Sequence, residues 1–379
     1  EQRLVLDPTP WDELCKHLGW NGVTHSPLLD PICRVGLITA LMWDWVHIHF
    51  IDGVFTLEGE EYLTGLSKLG DPAFTWDSFK HYSNMFTWPK GYAKGCAAIG
   101  KGKFGNVASE QLSLAPVLAR FAGLAKTKGL LPEKTTSMLL MCDVIDVLTL
   151  TQRGQSSAAT LRDCIDRFQK AHQAAYGTLH WLPKHHLQRH LPDNLEAHDI
   201  LIPLFTAERK HKVVKAMQHK RVNTTSFDTC VLDQVTVQHL YDLREPFVST
   251  PLANATRASE QLRTAVSSVL GQPHSLIESL GVSIRIRARS VCKNDMVLLR
   301  VNGAIVAADV WFHCAVDGVV KTCVEILETI AHGTYSMKCR TIDAEPVLLD
   351  AETFILESVI YCRVGRVATV LIPPCVRAA

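Results

Sequence analysis

No run of the sequence reaches the roughly 18 consecutive apolar residues that a membrane helix requires, which argues against a transmembrane span. Charge of one sign is lacking too. The 39 Lys and Arg and the 38 Asp and Glu leave a formal charge of +1, so attraction to nucleic acid or to a membrane surface must come from local patches. The 12 cysteines lie singly between Cys15 and Cys375, and no Cys-x-x-Cys pair occurs. That argues against a zinc ribbon or a thioredoxin-type site and points to reduced, mostly buried thiols. No charged-then-apolar leader opens the chain, so the expected location is nuclear or cytoplasmic. The acceptor patterns at Asn223 and Asn254 carry little weight without one. The first residue is Glu1, so the translation start is expected to be missing or trimmed.

What is present describes a folded protein. Hydrophobic residues make up 47% and charged residues 20% of 379, enough for two or three domains with cores of their own. A short helix is predicted near Pro10–Leu18. An apolar run from Val35 has strand length and ends at Asp44, and a helical pattern follows from His47 through Phe50, Val54, Leu57, Tyr62 and Leu66. Residues 70–107 are rich in loop formers. Helices are predicted from Ser109, after Pro132, and over Ser157–Tyr176, where Leu161, Ile165 and Phe168 form one stripe. Residues 251–281 are rich in Ala, Ser and Pro and read as a linker with one helix, Ala258–Leu270.

From residue 282 the period shifts to two. Ser283–Arg289 alternates as a half-buried strand does, and Asn302-Gly303 and Asp317-Gly318 each separate β-branched runs, a strong hairpin signal. Ile305–Val316 and Val319–Leu327 should pair. Phe354–Arg363 and Arg366–Ile372 should form a further hairpin turning at Gly365. The expected result is a small antiparallel domain over 282–379, an SH3-like barrel or β-roll.

Several motifs bear on chemistry. In Leu204–Met217 one carboxylate, Glu208, heads a run with Arg209, Lys210, Lys212 and Lys215. On a helix Glu208, Lys212 and Lys215 share a face. A solvated face with a Glu–Lys pair is one reading, worth about 0.3–0.5 kcal/mol. Phosphate contact is the other, because a polyanion relieves the repulsion within Arg-Lys-His-Lys. Asp44 with His47 reads either as a helix cap or as an acid beside a divalent metal. His180, His185, His186 and His190 cluster, yet the glutamate of a His-Glu-x-x-His site is replaced by Leu187, which favours packing and polar contacts. Gly100–Val107 spells a kinase-type glycine loop without the kinase's other parts and reads as a basic loop. Arg285, Arg287 and Arg289 stripe one strand face, exposed or meeting nucleic acid or an acidic partner.

Three of these segments together resemble the CACTA-type (En/Spm-like) DDE transposases. Met42–His49 is similar to their acid-x-x-His segment, with Val46 in place of the usual Met. His180–Pro192 followed by Phe205-Thr-Ala-Glu-Arg-Lys-His-Lys212 is similar to a later His-Leu-rich stretch and helix start. Thr87–Lys90, Ser109–Leu114 and Leu243–Pro246 look like members of a multi-copy mobile-element family. The resemblance covers about 28–250. It implies an α-rich α/β fold, a partial RNase H-like core with a helical insertion at about 75–200 inside a 1–250 region. It implies Mg2+-dependent DNA strand cleavage and transfer at carboxylates, with Glu208 as a metal acid, Asp44 as a metal acid or a neighbour of the site, and His47 in support. Arg209, Lys210, Lys212 and Lys215 would meet the phosphates. The family's first acid has no counterpart here, so the implied protein is a transposase-derived DNA binder whose cleavage activity stays open. The alternative is a non-catalytic interaction protein using residues 204–221 and the β-domain. The expected partner is DNA, with a homo-oligomer left open and no membrane.

Overall fold

In the computed structural model, residues 43–201 and 252–373 are described apart from short breaks, with a few residues between 203 and 240. The predicted helix near residue 10, the strand before Asp44 and the basic stretch 204–221 lie outside the described residues.

Helices fill the first part: α1 (Trp45–Phe50), α2 (Val54–Lys68), a 3-10 turn at Pro72–Phe74, α3 (Trp76–Asn84), α4 (Ala108–Thr127), α5 (Pro132–Thr151), α6 (Ala158–Tyr176), α7 (Pro183–Gln188) and α8 (Leu191–His198). Local chemistry sets their ends. The Thr75 hydroxyl accepts from Ser78 N at 3.1 Å, and the Ser157 hydroxyl accepts from Thr160 N at 3.2 Å. Each satisfies an amide that a helix start leaves open. Pro132 stands where a missing N–H costs nothing, and Gly177 ends α6 at φ 72°. Helices α4, α5 and α6 pack in sequence, and α5 also meets α2. Contact on several sides explains why α5 buries residues around most of its circumference, from Met138 and Leu139 to Val144 and Leu148. Arg162 on α6 reaches Asp193 and Glu196 on α8 at 2.9 and 3.2 Å, a solvent-screened surface tie that adds little to stability.

Between α1 and α2 the chain turns at Gly53. A Cβ there would stand 2.4 Å from the carbonyl carbon of His49 and from the oxygen of Ile48. Backbone cannot move aside as a side chain can. Gly53→Ala is therefore expected to destabilise the fold by about 1–3 kcal/mol, as overpacked sites do. Urea unfolding checks this; an unchanged midpoint would contradict the tight turn.

The glycine loop at 100–105 is a short turn. Ile99 bridges Phe104, Gly100 N donates to Lys103 O at 3.1 Å, and Phe104 N donates to Glu60 Oε1 at 2.8 Å. Phe104 is buried against Trp76 and Phe79. Aromatic packing therefore anchors the end of this loop at Phe104.

The second part is antiparallel sheet with one helix. Its elements are β1 (Leu252–Ala253), β2 (Thr256–Arg257), α9 (Glu260–Leu270), β3 (Ile277–Gly281), β4 (Ser283–Ile286), β5 (Arg289–Cys292), β6 (Met296–Val301), β7 (Ala304–Val316), β8 (Val319–Ile326), β9 (Glu328–His332), β10 (Ser336–Arg340), β11 (Val347–Asp350), β12 (Ile355–Ser358), β13 (Tyr361–Val364) and β14 (Val367–Leu371). The hairpin signals are realised. Asn302 and Gly303 take φ 49° and 79°, and Asp317 and Gly318 take 51° and 71°. Both pairs have the positive φ that a type I′ turn needs. The long β7 pairs β8 along one edge; on the other edge its start pairs β6 and its end pairs β3.

This central sheet is covered on both faces. From β6, Met296 and Leu298 enter one cluster with Met337, Val370 and Ile372 of the β9–β10–β14–β13 sheet. Val297 and Leu299 enter the other, with Ile284 and Val291 of the β1–β4–β5 sheet. Alternation by two sends neighbours to opposite faces, and burial on both sides makes the run continuously apolar. The fold is thus a mixture of helix and antiparallel sheet, as expected in outline. The expected SH3-like barrel is corrected: no sheet among the described residues closes on itself. The reason is that β7 outlasts its partners and feeds several short strands, which stack as layers. Residues 251–281 hold the expected helix as α9, but β3 within them joins the central sheet.

The two parts meet at the loop after α3. Thr87 and Tyr361 exchange backbone hydrogen bonds of 2.6 and 3.1 Å, and the Tyr92 hydroxyl donates to Ser358 O at 3.0 Å.

Candidate functional site

Helix α1 carries Asp44 at its head. Asp44 Oδ1 accepts from Val46 N at 3.0 Å and Oδ2 from His47 N at 3.3 Å. His47 Nδ1 bonds the same Oδ2, which leaves Nε2 as the ring nitrogen not held by Asp44. The rest of the helix, Trp45, Val46, Ile48, His49 and Phe50, is buried. Asp44 and His47 form the corner that reaches solvent, with side chains 17% and 41% exposed. Helix cap and acid-histidine pair are thus one arrangement.

The other end of α1 is fixed from below. His49 Nδ1 donates to Trp45 O at 2.7 Å, so its Nε2 accepts from the Gln188 amide at 2.9 Å. Gln169 donates to Gln188 Oε1 at 3.2 Å and to His185 O at 2.7 Å, and Arg189 Nε donates to Gln169 Oε1 at 2.8 Å. Lys184 Nζ donates to Ile51 O. Burial pushes His49 down to about 4, so the ring stays neutral, as this tautomer requires.

Beside that network lies a second one. His172 Nδ1 meets Glu58 Oε2 at 2.6 Å, with both side chains sealed from solvent. The His185 ring lies 4.7 Å from His172 and 5.1 Å from Trp181, and Tyr176 lies 4.9 Å from His172. His185 Nδ1 accepts from Leu182 N at 3.0 Å. Burial first, then the neighbouring His172, pushes its pKa down to about 4. Burial, then the Glu58 charge, pushes the Tyr176 phenol well above its usual range. His172 Nε2, Trp181 Nε1 and His185 Nε2 are buried with no hydrogen-bond partner among the described residues. Nothing in the sequence pointed to Glu58 or His172, since they stand 114 positions apart. His185 was legible only as one member of a cluster.

Of the predicted site residues, Asp44 and His47 are brought together. Glu208, Arg209, Lys210, Lys212 and Lys215 lie outside the described residues, as do Arg287 and Asp30. Asp143 is half-buried on α5, and Asp199 is exposed at the end of α8 with φ 56°. Among the described residues no three His, Cys, Asp or Glu side chains are grouped to hold a metal. Asp44 brings one carboxylate, already accepting from two amides and an imidazole. The described residues alone therefore do not make up the Mg2+ centre that the resemblance implies. The described cysteines Cys164, Cys292, Cys314, Cys323, Cys339 and Cys362 are free thiols. No described helix is long and apolar enough to cross a membrane. Compared with protein-family models, curated proteins and solved structures, the chain matches none.

Proposed function

We propose that this chain is a transposase-derived protein that binds DNA. The observation that carries the reading is the run Arg209-Lys210-His211-Lys212 with Lys215 behind Glu208. These charges crowd a short segment in a chain of net charge +1, and phosphates relieve that crowding. Asp44 and His47 add support: the acid-x-x-His pair of the resemblance is joined side chain to side chain at a solvent-reaching corner. The contiguous helices α3 to α8 are consistent with a helical insertion in an RNase H-like core, which belongs to the same proposal. In it, Arg209, Lys210, Lys212 and Lys215 contact the backbone without reading sequence.

Electrophoretic mobility shift with a random-sequence duplex tests the reading. Binding should survive Glu208→Gln, which removes no positive charge, and should weaken strongly when Arg209, Lys210, Lys212 and Lys215 are changed together to Gln. Equal binding by that variant would overturn the proposal. Incubation with Mg2+ and supercoiled DNA separates binding from catalysis: nicking that disappears in Glu208→Gln would replace the non-catalytic form of the reading by the enzymatic one.

A further inference from the structure

We propose that His186 and His190 chelate a divalent transition-metal cation of the zinc or nickel class. His186 lies two residues before the end of α7 and is exposed; His190 follows four positions later and is half-buried. Their Nε2 atoms stand 3.1 Å apart, with ring planes at 85° and centroids 4.8 Å apart. Two imidazoles bound to one zinc at about 2.0–2.1 Å place their nitrogens about 2.9–3.3 Å apart for bond angles from square to tetrahedral. The pair already has that spacing, so little side-chain freedom is lost on binding.

In the hydrogen-bonded pair one Nε2 carries a proton and the other accepts it. An incoming cation takes the acceptor lone pair directly. The second ring moves its proton to Nδ1 and presents its own Nε2 lone pair, so both ligands bind neutral. No third His, Cys, Asp or Glu among the described residues joins them. Two protein ligands leave positions for water or further groups, so the pair is the core of an exchangeable site. Arg189 sits between the two histidines in sequence, but its Nε is drawn to the buried Gln169. The backbone geometry that sets the spacing is fixed by Arg189 N donating to His186 O at 3.0 Å and His190 N to Leu187 O at 3.1 Å.

Isothermal titration of the full chain with ZnCl2 alone, and separately with NiCl2 alone, tests the site. The expected result is uptake of one equivalent that is lost in His186→Gln and in His190→Gln, and retained in His198→Gln. Circular dichroism confirms that each variant is folded; His186→Gln, at an exposed position, is the variant least able to disturb the fold. Anomalous scattering at the zinc edge should place the ion between the two Nε2 atoms. No uptake by the native chain, uptake unchanged in both variants, or an ion located elsewhere would overturn the proposal.

Discussion

The melting temperature should fall as the pH is lowered from 7.5 to 4.5, with the decline setting in near pH 6.5. The cause is three histidines that the fold keeps neutral. His49, His185 and His313 are fully buried, and burial pushes each from 6.5 down to about 4. Other groups modulate this without reversing it. Asp44 raises and Lys184 lowers the value for His49, while His172 and His49 lower that for His185. The sign follows from proton counting. Between about pH 6.5 and pH 4 the unfolded chain binds protons that the folded chain excludes, so acid favours unfolding. The stability that each neutral histidine holds is complete above 6.5 and lost as pH falls towards 4. The gap corresponds to about 3 kcal/mol for one histidine at full protonation of the unfolded state. His49 and His185 share a network, so their effects will not simply add. Calorimetry at pH 7.5, 6.5, 5.5 and 4.5 checks this. His49→Gln, which removes one titrating ring, should flatten the profile. A melting temperature constant to pH 4.5 would show that the rings are not sealed.

Glu58→Ala should be the most damaging single substitution in the helical part, costing about 1–3 kcal/mol, as leaving a buried hydrogen-bonding group without its partner does. Glu58 and His172 join α2 to α6 across the bundle, with exposures of 0% and 1%. Truncating the carboxylate leaves His172 Nδ1 without its acceptor in a place water does not reach. Glu58→Gln keeps an oxygen for that nitrogen and should cost much less. Glu58→Leu with His172→Phe removes both partners and should recover part of the loss, since an apolar pair of similar volume needs no partner. Urea unfolding of the four proteins reads the set. A loss below about 1 kcal/mol for Glu58→Ala, the range of an exposed pair, would mean the pair is not sealed in solution.

Features fixed by a few neighbouring residues were legible in the sequence. Asn302-Gly303 and Asp317-Gly318 forecast their hairpins because positive φ is a local demand that those residues meet. The stripe of Leu161, Ile165 and Phe168 forecast α6 because burial on one side imposes the helical period. Asp44 as a cap was one of two readings, and the cap is present together with its bond to His47. What failed depended on distant pairing. A two-residue turn says nothing of whether a sheet closes, so the barrel was over-read. The strand at 277–281 stays hidden in sequence because its partner lies at the far end of β7. The Glu58–His172 pair has no local signature, for the helix that holds each residue would form with other side chains there. The basic run at 209–215 was conspicuous as charge alone, and its function rests on what it meets.

DNA binding through that run is tested most directly by the salt dependence of the affinity. Fluorescence anisotropy with a random-sequence duplex, from 50 to 200 mM KCl, should give a linear fall of log K with log salt. Changing Arg209, Lys210, Lys212 and Lys215 to Gln should reduce the slope by about 3 to 4, close to 0.9 for each phosphate that is no longer neutralised. A slope identical in the two proteins, or no binding by the native chain at 50 mM salt, would contradict the account.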